Sequence, residues 1–346
     1  MNQARQYRYF IGVDVSKSEL DFAVVESNQL LFHLEVSNDR KGIRAFFSQL
    51  RATTKATIYN SLFCLEHTGI YNNPLLAFLF PKQASIWVEK ATQIRESMGV
   101  SRIKNDKVDA IKIARYAYKN WEDAHLWQPK REVIEQLDRL TAMRKRLVSA
   151  IHMLNVPLTE SAGFVSKSEL KNNAKTCTHS LNALKKDLKG IDAAIQEVIK
   201  SDPELNSLFE IVTSIKGVGV AVATEIIITT NEFKDFKDPK KFACYAGVVP
   251  FEQSSGRKRG KPQVSRIANK KVKALLHLAA LSASRHSEEF RAYFDRKVAE
   301  GKNKMVVLNN IRNKIVLRIF ACVRRGQKYE NFYPSLVVWV IEIYWN

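Results

Sequence analysis

Four carboxylates, Asp14, Glu66, Asp106 and Asp109, stand in sequence contexts that suit metal-assisted chemistry. Asp14 closes the apolar run Tyr9 to Val13, and Glu66 closes a second apolar run just before a glycine turn. An acid at the end of an apolar strand faces solvent or a site, because burying it unpaired is costly. If the two strands are neighbours in a sheet, the two acids lie side by side. Asp106 and Asp109 open a helical stretch, and their i, i+3 spacing puts both on one face. Taken singly, each has a structural explanation: a helix dipole favours acids in its first turn, and Asp14 could be a turn former. As a set they are hard oxygen donors with no cysteine or histidine cluster, a combination that suits Mg2+. Two such ions can activate a nucleophile and stabilise the leaving oxygen when a phosphodiester is displaced.

A second constellation runs from Phe242 to Leu276. Ser254 and Ser255 precede Gly256 in a polar loop, and Arg257, Lys258, Arg259, Lys261 and Arg266 follow closely. A cationic loop of this kind could hold a phosphate and stabilise the charge that develops on transfer. A serine within it could attack phosphorus once deprotonated. On spacing alone, a solvated linker with unremarkable serines is the simpler reading. The loop leads into a basic helix that begins near Lys270 and Lys271. Upstream, SIKGVGVAVATEIII places Gly217 and Gly219 in a helix-hairpin-helix-like turn, whose free N–H groups suit a phosphate. A plain helix connection competes with that reading. Trp87, Trp121 and Trp127 read as packing residues rather than base-stacking platforms.

The elements that must position these groups are legible in the hydrophobic pattern. Tyr9 to Val13, Leu20 to Glu26 and Leu30 to Val36 read as three consecutive strands. Ile43, Phe46, Phe47 and Leu50 mark a helix, Ala56 to Leu65 a fourth strand, Pro74 to Phe80 a helix, and Ala84 to Val88 a fifth strand. That order predicts a mixed sheet flanked by helices, as in a ribonuclease-H-like domain over 7–125. From 126 to 203, Leu137, Leu140, Leu147, Ile151 and Leu154, then Leu181, Leu184, Leu188, Ile191, Ile195 and Val198, recur at steps of three, four or seven. This is the seam of a helical hairpin or coiled coil, broken between Pro157 and Ser168. Residues 204–346 read as a mostly α-helical domain carrying the glycine turn and the serine loop.

The chain of 346 residues carries 55 Lys plus Arg against 35 Asp plus Glu, a formal charge of +20. Such an excess favours polyanions and a salt-sensitive grip on phosphate backbones. Cys64, Cys177, Cys244 and Cys322 are scattered, which argues against a zinc site or disulfide framework and fits a reducing cytosol. The start carries no secretory pattern, and the apolar tail Leu336 to Trp345 is too short to span a bilayer. The tail is expected to pack, and the protein to act in the cytoplasm, on nucleoid DNA, without a membrane.

The motifs GVDVSK, CLEHTG and NDKVDAIKIA together resemble the Asp-Glu-Asp-Asp signature of insertion-sequence transposases of the IS-one-ten type. That family includes Piv-like DNA invertases and bridge-RNA-guided recombinases, with a metal domain similar to the junction resolvase RuvC. YAGVVPFEQSSG and the following basic helix resemble the same family's C-terminal serine domain. The resemblance implies that Asp14, Glu66, Asp106 and Asp109 bind the metal and that Ser255 is the nucleophile, with Ser254 as the competing register. It further implies a covalent serine–DNA intermediate, element-end and target DNA as substrates, a structured guide RNA, and a homodimer or homotetramer. Three positions depart from the family pattern: Asn105 stands for Thr, Glu89-Lys90 for Asn-Pro, and Ala268-Asn269 where Gly is common. A junction endonuclease acting without a serine adduct, and a silent DNA-binding protein, are the competing functions.

Overall fold

The computed structural model describes residues 7–98, 105–161, 163–251, 254–255, 258–260, 263–264 and 268–330. By contacts the chain forms two compact units, Met1–Pro129 and Lys130–Asn346.

The first unit is built on five strands: β1 (Tyr9–Val15), β2 (Glu19–Glu26), β3 (Gln29–Ser37), β4 (Ser61–Glu66) and β5 (Ser85–Glu89). They lie in the order β3-β2-β1-β4-β5, with β1, β2 and β3 antiparallel and β1, β4 and β5 parallel. The expected mixed sheet flanked by helices is therefore present. The helices are α1 (Arg40–Thr53), α2 (Asn73–Leu79), α3 (Ala91–Met98) and α4 (Asp106–Asn120). β4 begins later than the apolar pattern predicts. Residues 57–60 form a turn closed by Asn60 Oδ1, which accepts from the Thr57 N–H at 2.7 Å.

Alternation along β1 splits the core in two. Tyr9, Ile11, Val13 and Val15 pack with α1 and α2 residues such as Ile43, Phe46 and Leu76. Phe10 packs on the opposite face with Ala110, Ile113, Ala114 and Ala117 of α4. Gly12 lies on that second face. A Cβ there would come within 2.2 Å of the Ala114 nitrogen and 2.3 Å of the Ala110 oxygen. The glycine thus lets α4 lie directly on β1, which sets where the first turn of α4 falls. Trp87 is buried in this core, Trp121 packs edge-on to Tyr7, and Trp127 packs edge-on to Phe80.

The second unit opens with a long helical hairpin, α5 (Glu132–Glu160) and α6 (Lys167–Ser201). Its base, through Ile134, Leu137, Ile195, Val198 and Ile199, shares one core with the later helices. The predicted break at Pro157 does not occur there: α5 continues through the proline to Glu160. A proline so near a helix end removes only one late hydrogen bond. Arg131 clasps the base by pairing with Asp202 and Glu232. There follow α7 (Pro203–Thr213), α8 (Val220–Thr230), α9 (Pro239–Tyr245), the short strands β6 (Pro250–Phe251), β7 (Ser254–Ser255), β8 (Lys258–Arg259) and β9 (Gln263–Val264), then α10 (Lys270–His286), α11 (Glu288–Ala299) and α12 (Lys304–Arg325). All four cysteines are free thiols. No helix among the described residues is long and apolar enough to cross a membrane. The apolar tail from Leu336 lies outside the described residues.

Candidate active site

Strand register carries the predicted acids to one end of one sheet face. Val13 pairs with Leu65, so the next residues, Asp14 and Glu66, stand side by side on the face covered by α4. Asp106 and Asp109 lie in the first turn of α4, which Asn105 caps by accepting from the Lys107 N–H at 2.9 Å. Asn105 therefore closes the first turn as a helix cap.

The same register shows two acids that apolar spacing did not single out. Asp21 is opposite Asp14 on β2, and Glu89 is opposite Glu66 on β5. Four neighbouring strands thus carry a row of acids, Asp21, Asp14, Glu66 and Glu89. The outer two are already engaged. Asp21 bonds His33 Nε2 at 2.7 Å, while Glu89 accepts from the Lys90 N–H at 2.7 Å and from the Tyr116 hydroxyl at 3.3 Å.

Burial and like charge act together in this group. Burial, then the neighbouring charges of Glu66, Asp106 and Asp109, push the Asp14 carboxyl up to about 6. Burial and Asp109 also raise Glu66, against the opposing pull of Arg95 and Lys112. Lys112 pairs with Asp109 at 2.6 Å. Among the described residues, no three such groups are close enough as they stand to hold one ion. The donors nevertheless suit a hard divalent cation: they are all carboxylates, and they repel one another in its absence.

Two asparagines brace this end of the sheet. Buried Asn72 donates to the Glu66 carbonyl at 2.9 Å and accepts from the Thr68 hydroxyl. Asn38 donates to the Ser16 carbonyl at 2.8 Å and to the Tyr71 carbonyl at 3.0 Å, tying the turn after Asp14 to the turn after Glu66. Only a folded chain places these amides, so spacing offered no signal for them.

In the second unit the expected polar loop proves to be paired. β6 pairs with β9, and within it β7 pairs with β8, setting Ser255 opposite Lys258 and Ser254 opposite Arg259. Alternate short runs of backbone pairing make this segment an arm rather than a linker. Both roots of the arm are pinned. Asn309 donates to the Val248 carbonyl at 2.7 Å, and Asn269 donates to the Tyr245 hydroxyl at 2.9 Å. Arg257, Lys261 and Arg266 lie outside the described residues.

The remaining predicted contacts divide. Gly217 has φ +94°, and a Cβ there would meet the Ala279 carbonyl of α10 at 2.5 Å, so this glycine serves packing. Gly219 begins α8 with open space around it and no side-chain cap. Lys270 is exposed, whereas Lys271 is paired with buried Glu225.

Family comparisons decide what this pair of constellations belongs to. Residues 11–159 match the DEDD transposase profile of the IS110 type, and residues 209–295 match the profile described as "Transposase IS116/IS110/IS902 family". The chain carries the transposase domains of that family. It is a DNA transposase/recombinase. The first matched span contains all four acids, and the second contains Gly217, Gly219 and both serines. Over 332 residues the transposase is 25% identical to the "Pilin gene-inverting protein" of Moraxella bovis, covering 93% of this chain and 98% of the relative. It is 26% identical over 257 residues to the "Transposase for insertion sequence element IS1111A" of Coxiella burnetii, covering 65% and 68%. It is also 28% identical over 156 residues to an IS110 protein of Streptomyces coelicolor, covering 45% and 38%. The DEDD domain of this transposase points to a divalent metal.

Proposed function

We propose that this transposase cuts and rejoins DNA through a covalent serine–DNA intermediate, with Ser255 as nucleophile and Asp14, Glu66, Asp106 and Asp109 as ligands for Mg2+. The first unit would then be a ribonuclease-H-like, RuvC-like metal domain, and 204–346 a serine transposase domain. The register that sets Asp14 beside Glu66 at one sheet end, with Asp106 and Asp109 near enough to add to the effect of burial on Asp14, is the observation that carries this reading. When bound, a pair of Mg2+ ions would offset the acids' repulsion and stabilise negative charge on the scissile phosphate.

The serine chemistry balances as two exchanges. Ser255 Oγ bonds to phosphorus as one backbone P–O bond breaks, its proton passing to an acid of the cluster and the departing strand oxygen taking a proton from water. A free strand hydroxyl would then attack the same phosphorus and lose its proton as the P–O bond to Ser255 breaks, the serine oxygen taking up a proton and the phosphodiester re-forming. Lys258 and Arg259 beside the serines, and Lys270 with Gly219, would hold the backbone. The two units would combine within one chain or across the subunits of a homodimer or homotetramer joined through the hairpin. A guide RNA would read sequence by base pairing while the protein reads backbone and shape.

The test is covalent capture. Junction-containing element ends incubated with Mg2+ should yield protein attached to DNA with the wild type and none with Ser255→Ala. Loss of the adduct in Ser254→Ala, with Ser255→Ala still competent, would transfer the role to Ser254. Cleavage with no adduct in any form would make the protein a metal-dependent junction endonuclease, and binding alone would make it a silent DNA-binding protein.

A further inference from the structure

Arg312, on α12, is a buried cation to which the described residues offer no negative charge. It is only 7% exposed. Its guanidinium lies against His277 Nδ1 at 2.6 Å and donates to Asn309 Oδ1 at 3.4 Å, while its Nε has no hydrogen-bond partner. No carboxylate among the described residues pairs with it. Partly exposed arginines of the same unit are matched: Arg131 with Asp202 and Glu232, Arg144 with Asp192, Arg318 with Glu289.

The neighbours sharpen the imbalance. A guanidinium has donors only, so the His277 nitrogen facing it must be the acceptor, and the imidazole is then neutral. Burial pulls the ionisation of both groups down, the Arg312 charge adds to the effect on His277, and no acid among the described residues opposes it. Arginine does not escape by losing its proton. An unmatched charge shielded in this way is strongly unfavourable unless a counter-ion completes the site.

We propose that Arg312, with His277 beside it, is a seat for a DNA backbone phosphate that supplies the missing negative charge. This rests on the reading that the second unit grips DNA around the serine arm. A phosphate offers the oxygen acceptors that a guanidinium fork fits. Placement favours that occupant. Asn309, which touches Arg312, also holds the Val248 carbonyl at the root of the arm. A phosphate on Arg312 would therefore be felt where the arm leaves the helical core. Arg312 lies beyond both segments that match transposase profiles.

Binding of a short duplex of arbitrary sequence, followed across a salt series in EDTA, tests this without any strand chemistry. Arg312→Met should bind roughly tenfold more weakly at moderate salt, as expected for one charge-assisted contact, and its plot of log affinity against log salt should be shallower by about one. Its Tm should equal or exceed that of the wild type, because a well-packed apolar side chain replaces an unmatched charge. If Arg312→Met does not fold, Arg312→Gln takes its place, with the same expected changes in affinity and slope. A folded variant that keeps the wild-type affinity and salt slope overturns the proposal, as does a lowered Tm with DNA binding untouched. Failure of the serine adduct would leave these measurements unchanged, so the two readings fail separately.

Discussion

Asp14 sets the behaviour expected at the scale of one residue. Its carboxyl is pushed up to about 6, so above that pH the folded protein carries an ionised group among like charges. As pH falls from about 6 toward the ordinary aspartate value, the folded state takes up the proton before the unfolded chain does, and the penalty disappears. Asp14→Asn should therefore raise the Tm of the metal-free protein at pH 8, with the gain fading between pH 6 and pH 4. Thermal unfolding across pH checks this, and a gain that persists at pH 4 would assign the effect to packing. Mg2+ should raise the wild-type Tm at pH 8 and do much less for Asp14→Asn. The same variant should keep its DNA affinity and lose strand cleavage.

Among the elements, the approach of α4 to β1 governs where Asp106 and Asp109 fall. Gly12→Ala would drive a methyl group into the α4 backbone, which must move. A loss of about 1–3 kcal/mol is expected for such overpacking, measured by denaturant unfolding. With the first turn of α4 displaced, cleavage and the Mg2+ response should fall further than DNA binding. Asn72 acts on the other side of the cluster. Asn72→Ala leaves the Glu66 carbonyl without its donor, and should cost about 1–3 kcal/mol as a buried acceptor goes unsatisfied. It too should reduce cleavage more than binding. Equal losses of binding and cleavage in both variants would mean that these contacts merely support the fold.

The whole molecule is governed by its charge of +20. DNA affinity should fall linearly in log–log form as salt rises, since counterions are released from the duplex on binding. EDTA should abolish cleavage and leave that salt dependence intact; cleavage that survives the chelator would remove the metal from the mechanism. The long hairpin of the second unit is firmly packed at its base and half-buried along its outer seam, with Met153 beside the seam and Phe164 in the connection between its helices exposed. Shortening its outer half should leave the base core folded. If the hairpin joins subunits, sedimentation should then show a smaller oligomer.

Sequence alone determined the local elements and the chemical types. Short apolar, β-rich runs between polar turns mark β1, β2 and β3, helical spacing marks α1 and the hairpin, and the acids Asp14, Glu66, Asp106 and Asp109 stand in recognisable motifs, because such patterns report each residue's own burial and hydrogen-bonding needs. Tertiary structure decided which distant residues meet. Strand register set Asp21 and Glu89 beside the inner acids, Asn38 and Asn72 reached across turns, Lys271 found Glu225, and Arg312 found no acid among the described residues. It also paired the serine segment into an arm and carried α5 through Pro157. Register, cross-strand partners and counter-charges depend on contacts between segments far apart in the chain, and no local pattern encodes the partner.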